Sequence, residues 1–196
     1  LILKGETMTI QNLEFHPLTP DRWDDFVAVM GQNGASGGCW CMYWRAHGKD
    51  WGSMIKEPNR LAMKAIVDEG REPGLIAYVD GTPAAWVSLG PRDDFPTLNR
   101  SRILKPVDDQ PVWAIVCFFI HRNYRRKGMM LHLINAAVDY ARSKGAKIVE
   151  AYPTEPEKKM ESSSLFMGVI DPFIEAGFVE VTRRSPNHPV MRKILN

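Results

Sequence analysis

Val112-Trp-Ala-Ile-Val-Cys-Phe-Phe-Ile120 is a stretch without a polar side chain, and His121-Arg-Asn-Tyr-Arg-Arg-Lys127 and Gly128 follow it directly. A strand wetted on one face alternates apolar with polar residues, so an unbroken apolar run is the pattern of a strand covered on both faces. From Met129 the period changes. Leu131, Ile134, Val138 and Ala141 form one stripe, and Met130, Leu133, Ala137 and Tyr140 lie beside it. A stripe that wide predicts a helix packed on a sheet. Lys144-Gly145 closes the helix, and residues 146–151 are the next strand. A β-loop-α-β unit of this length makes residues 112–120 and 146–151 parallel neighbours.

Outward from this unit, residues 10–15 alternate weakly and read as a first strand. Thr19-Pro20-Asp21 is a helix start, with threonine as N-cap, proline in the first turn and an acid beside it. Trp23, Phe26, Val27 and Met30 follow at helical spacing, and Gly31 stops that helix. A second helix is expected over residues 57–69. Residues 75–79 and 84–89 read as strands around Asp80-Gly81-Thr82-Pro83, a tight turn. Residues 91–110 are polar with three prolines and read as a long functional loop. Residues 165–176 are mixed and end as a helix capped by Gly177, and residues 178–182 and 190–195 form a terminal hairpin. The predicted order is β-α-α-β-β-β-α-β-α-β-β, a single α/β (α+β) domain with a mixed sheet over residues 8–196. Leu1 to Thr7 precede Met8 and form an extension of uncertain origin.

The chain has 196 residues, 44% hydrophobic and 24% charged, with a net charge of +2. Such a balance gives no bulk electrostatic case for nucleic acid or a membrane surface. No apolar run reaches the roughly 18 residues that a membrane span needs. The start lacks the basic, then apolar, pattern of a signal peptide, so the cytoplasm is the expected compartment. Cys39, Cys41 and Cys117 are odd in number, which fits a reducing compartment better than a disulfide framework.

Arg125, Arg126 and Lys127 lead into Gly128 and the first turn of a helix. The first N–H groups of a helix have no internal acceptors, and the helix dipole places partial positive charge there. Gly128 lets a ligand approach the backbone. A diphosphate suits this arrangement, and so does a plain solvated loop.

The stretch from Ile120 to Met130 resembles the acyl-CoA-binding motif of the GNAT-type N-acetyltransferase superfamily, [Gln/Arg]-x-x-Gly-x-[Gly/Ala] between a buried strand and a long helix. Arg125, Gly128 and Met130 take the three defined positions, and Met130 departs from the small residue expected. Phe173-Ile-Glu-Ala-Gly-Phe178 before a β-rich tail is similar to the family's Gly-Phe exit into the last hairpin. The resemblance implies that two central strands splay apart and that acetyl-CoA, as co-substrate, fills the gap. It places the pantetheine arm on the backbone of Phe118, Phe119 and Ile120, and the pyrophosphate on Arg125, Arg126, Lys127, Gly128, Met129 and Met130. The acetyl group then passes directly to an amine.

The tyrosine that many relatives use as proton donor falls here at Phe173, the glutamate that some use as base falls near Ala114, and neither residue can serve. Tyr152 is the candidate catalytic substitute, with Ser162, Ser163, Ser164 and His121 behind it. The expected acceptor is an amine of a small molecule or peptide. Neither nucleic acid nor membrane is an expected partner, and a homodimer is compatible with the resemblance. A CoA-binding protein without turnover is the alternative.

Cys39-Trp40-Cys41, with His47 nearby, raises a metal or redox alternative. A structural zinc takes four protein ligands, usually from Cys pairs spaced by two to four residues. Here the spacing is one and a fourth ligand is missing, so no metal is expected. Trp40, Met42, Tyr43 and Trp44 read either as packing on the sheet or as an apolar, cation-binding wall of the acceptor pocket. Residues 31–52 and 91–110 and the terminal hairpin are expected to form that pocket, with Asp93 and Asp94 as acids within it. Cys117, inside the buried strand, reads as structural.

Overall fold

The computed structural model describes residues 12–46, 51–156 and 162–195. Strands β1 (Leu13–Pro17), β2 (Gly74–Val79) and β3 (Thr82–Pro91) run antiparallel in succession, and β3 pairs antiparallel with β4 (Trp113–Ile120). β4 lies parallel to β5 (Ile148–Ala151), and the far half is completed by β7 (Pro189–Ile194) and the edge strand β6 (Val179–Arg183). The result is one mixed seven-stranded sheet in the order β1-β2-β3-β4-β5-β7-β6. Asp80 and Gly81 both take positive φ, 49° and 73°, as the two-residue turn of the β2–β3 hairpin requires.

Each face of the sheet has its own core. On one side α5 (Met129–Ser143) buries Leu133, Ile134, Ala137, Val138 and Ala141 against Val87, Ile115 and Phe118. On the other, α1 (Trp23–Met30) and the chain after it pack Phe26, Trp40, Cys41 and Trp44 onto Trp86 and Val116, with Met63 of α3 (Glu57–Asp68). Because β4 feeds both cores, its apolar run is explained by position: Ile115 and Phe118 face α5, while Ala114, Val116 and Cys117 face the other side.

The structure corrects two sequence expectations. Residues 91–110 are not an open loop. They hold a 3-10 turn, the short helix α4 (Pro96–Arg100), and fully buried Phe95 and Leu98. Few apolar residues mark that segment, but they sit one helical turn apart and point the same way. The helix expected to close residues 165–176 shrinks to α6 (Ile170–Glu175), because Gly168 takes φ +89° and Val169 forms a parallel bridge with Thr154. A further short helix, α2 (Trp51–Met54), precedes α3. Residues 1–11 and His47 lie outside the described residues. Among the described residues no helix is long and apolar enough to cross a membrane.

Candidate functional site

β4 and β5 are joined only at Trp113, Ala114 and Ile115, opposite Val149, Glu150 and Ala151. Beyond Ile115, β4 continues to Ile120 on its β3 side alone. The separation has a local cause: the β3–β4 register slips between Ser88 and Leu89, opposite Cys117 and Ile115, which leaves Val116 as the extra residue of a bulge. A bulge adds twist and turns the strand away from its neighbour. The edge so exposed presents the backbone of alternate residues, Phe118 and Ile120 among them.

A segment of the chain's own backbone reaches into this gap. The Phe118 N–H donates to the Phe166 carbonyl at 2.6 Å, and the Thr154 N–H donates to the Gly168 carbonyl at 2.9 Å. A cavity of about 620 Å³ opens beside it, walled by Phe118, Phe119 and Ile120 of β4, by Leu165, Phe166, Val169 and Pro172, and by Ala35 and Ser36. Its floor is Arg125, Arg126, Gly128, Met129 and Met130. Eight of the nine candidate coenzyme-binding residues therefore meet in one space. The ninth, Lys127, extends over the Tyr124 ring, 6.0 Å from its centroid, and does not line the cavity.

The floor is shaped by backbone. Arg126 and Gly128 both have left-handed φ, 60° and 75°, which curls the loop into a concave turn. Leu131 N–H bonds back to the Gly128 carbonyl at 3.1 Å, so the N–H groups of Gly128, Met129 and Met130 precede the first internal bond of α5. Arg125 braces the turn by donating from Nε to the Ile120 carbonyl at 2.8 Å.

Met130 stands where the motif has glycine or alanine, and the structure shows how it is accommodated. Its sulfur lies 3.4 Å from where a Cβ on Gly168 would be, so the side chain crosses from α5 into room left by that glycine. A Cβ at Gly168 would also meet Phe173 at 2.9 Å and Phe118 at 3.2 Å. Gly168→Ala is therefore expected to destabilise the fold by about 1–3 kcal/mol through overpacking and strained φ. CoA affinity should fall with it, because Met130 and Phe118 both line the cavity. Urea denaturation and calorimetry read the two effects.

The remaining candidates lie elsewhere. Tyr152 is fully buried; its hydroxyl donates to Glu150 Oε1 at 2.6 Å and accepts from Arg92, and it does not line the cavity. Burial first, and the neighbouring Glu150 charge second, push its pKa well above the ordinary tyrosine value. Glu150, 1% exposed, also pairs with Arg92 at 2.6 Å and with Arg192 at 2.7 Å, and Arg192 continues to Asp108. His121 accepts the Asn123 N–H with Nδ1 at 3.5 Å and caps a short turn. Phe173 packs edge-on against Phe118 and Phe178. Ser164 is exposed, and the side chains of Ser162 and Ser163 lie outside the described residues. Trp40, Met42 and Trp44 are core residues, while Tyr43 is 45% exposed. Asp94 is taken up by Arg45 and Arg71.

Sequence reasoning missed the wall formed by Leu165, Phe166 and Val169. Gly168 was the available signal, a break inside a segment read as helical. It also missed the Arg92–Glu150–Arg192 cluster, which a glutamate in the apolar run Ile148-Val-Glu-Ala151 could have flagged.

Solved structures share this architecture at low sequence identity. An acetyltransferase of the GNAT family from Listeria monocytogenes superposes with a TM-score of 0.57 at 8% identity, covering 93% of this chain and 95% of that one. The NatC complex bound to Gag peptide and CoA gives 0.56 at 11% identity, covering 95% and 100%. The PaiA N-acetyltransferase from Thermoplasma acidophilum, in complex with coenzyme A, gives 0.52 at 14% identity, covering 94% and 100%. No curated protein matches the chain. The acetyltransferase (GNAT) family profile matches residues 39–161, more than half of the sequence, and on that match the chain belongs to the GNAT acetyltransferase family.

Proposed function

We propose that the chain is an N-acetyltransferase that moves an acetyl group from acetyl-CoA directly to an amine of a small molecule or peptide. The observation that carries this reading is the edge of β4 from Val116 to Ile120, which pairs with no strand on its β5 side, ends at the concave N-terminus of α5 and opens on one cavity. The CoA held by the PaiA and NatC structures on the same fold supports it.

In this reading the pantetheine arm pairs with the β4 edge as an added strand. The Phe166 carbonyl gives up the Phe118 N–H, which then polarises the thioester carbonyl. The first N–H groups of α5 take the diphosphate, with Arg125, Arg126 and Lys127 adding charge. The amine must arrive neutral, against a lysine-like pKa of roughly 10.4. Its nitrogen attacks the thioester carbon, and the tetrahedral intermediate collapses with loss of the CoA thiolate. A thiol pKa of about 8.5 makes that a workable leaving group without a strong acid. Among the described residues, the only titratable side chains lining the cavity are Arg125 and Arg126. The amine's proton therefore leaves through water.

Two readouts test this. Acetyl-CoA at 100 times its dissociation constant should stabilise the protein by about 2.7 kcal/mol. A thiol-release assay over a panel of amines should then find turnover. Binding without thiol release favours the second reading, a CoA-binding module without catalysis, which the absence of an acid or base among the described lining residues also fits. No binding sinks both.

Tyr152→Phe separates proton transfer from packing. Its hydroxyl already has two buried partners, so the variant should lose about 1 kcal/mol of stability and keep turnover within about twofold. A fall in kcat of about 100-fold at unchanged stability would instead make Tyr152 the proton donor.

A further inference from the structure

Cys41 and Cys117 are 76 residues apart in sequence, yet their sulfurs lie 3.1 Å from each other in the core between the sheet and the chain that follows α1. Trp86 donates its indole N–H to Cys41 Sγ at 3.1 Å, and the Cys41 thiol donates to Cys117. The backbone at Cys41 is strained: Trp40 and Cys41 take positive φ, 45° and 55°. Non-glycine residues avoid that region at a cost of about 1–2 kcal/mol each. A disulfide has its sulfurs about 2.05 Å apart, so the two need approach by only about 1 Å.

We propose that Cys41 and Cys117 form a reversible disulfide under peroxide, clamping the loop after α1 onto β4 next to Phe118. One thiol attacks the peroxide O–O bond, gains an oxygen as a sulfenic acid and releases water. The second thiol attacks that sulfur, the S–S bond forms, and a second water leaves. Two thiols give up two protons and two electrons, and one hydrogen peroxide is reduced to two waters. The loop being clamped continues from Ala35 and Ser36 of the cavity wall, and β4 supplies the opposite wall. The cross-link thus fixes the width of the candidate site.

Cys39, two residues before Cys41, is the competing thiol. It is half-buried, and burial pushes its pKa up to about 12, which leaves little thiolate to react. The hydrogen bond with Cys117, and then burial, hold the Cys41 thiol protonated as well, so the reaction is slow. It takes a small oxidant, since Cys41 is 4% exposed and Cys117 8%.

The decisive protein is the full chain carrying Cys39→Ser, which keeps only Cys41 and Cys117. Treated with hydrogen peroxide, the monomer should lose about 2 Da, and dithiothreitol should restore that mass. A non-reducing digest should join the peptides that contain Cys41 and Cys117, and the oxidised protein should melt higher than the reduced one. Oxygen addition without loss of hydrogen, a covalent dimer, or no change of mass overturns the disulfide. An unchanged or lower melting temperature overturns the clamp. No coenzyme enters the experiment, so its result is independent of the acyl-transfer reading.

Discussion

Glu150→Gln should cost about 3–5 kcal/mol of folding stability, the penalty for stripping one partner from a buried ion pair. Glu150 is 1% exposed and faces two arginines: Arg92 at 2.6 Å on one carboxylate oxygen and Arg192 at 2.7 Å on the other. Arg92 is anchored further by donating to Asn99 Oδ1 and to the Leu104 carbonyl. The amide fills the same space, so packing is conserved and the loss reports the charge together with the one acceptor oxygen that becomes an NH2 donor. Arg192 keeps Asp108, but Arg92 is left with neutral partners in a site that water barely reaches. Asp108, whose side chain is 37% exposed, is the contrast within the same cluster. The hydrogen bonds from Arg192 hold its carboxyl below the usual aspartate range, yet water screens its charge. Asp108→Asn should therefore cost no more than about 1 kcal/mol. Urea denaturation of both variants gives the comparison, and equal small losses would show that the cluster behaves as a surface network.

Gly128→Val should lower acetyl-CoA affinity by about 100-fold or more while leaving a folded protein. An ideal Cβ on Gly128 meets no protein atom within 4 Å, although the residue lines the cavity. The first added atom therefore meets open space on the side where the proposed ligand lies. The backbone cost is that of a branched residue at φ +75°, about 1–2 kcal/mol. Displacing the diphosphate from two charge-assisted N–H contacts forfeits about 1.5–3 kcal/mol each, and each 1.4 kcal/mol is about tenfold in affinity. Calorimetry with CoA and a melting curve separate the two effects. Unchanged affinity would mean that the diphosphate sits elsewhere, and with it the proposed donor site would fall.

The parts of the molecule legible in sequence are those whose signal is local. β4 and α5 declare themselves through an unbroken apolar run and a helical stripe, and the β2–β3 turn through Asp80-Gly81. The candidate anion loop is legible for the same reason, since Arg125 to Gly128 are adjacent in the chain. What escaped is what only the folded sheet brings together. Glu150 and Arg192 are partners because β5 and β7 pair in that register, 42 positions apart. Phe166 reaches the Phe118 N–H because Thr154 bridges Val169 and pulls an expected helix into extended chain. Cys41 looked like half of a Cys-x-Cys motif, and its contact is with a cysteine in another element. The spare room that lets Met130 stand in for a small residue belongs to Gly168, which no motif at the loop contains.

On the proposed function, the brief join between β4 and β5 ties the protein's survival to its own feedstock. A donor that completes the missing rungs stitches the two halves of the sheet together, and anything that binds only the folded chain raises the free energy of unfolding. With the donor depleted, the seam is held by little more than the Phe166 and Gly168 carbonyls, and a strand edge so lightly covered invites foreign strands. Lifetime in the cell would then rise and fall with the supply of acyl groups, before any signal acts on the chain.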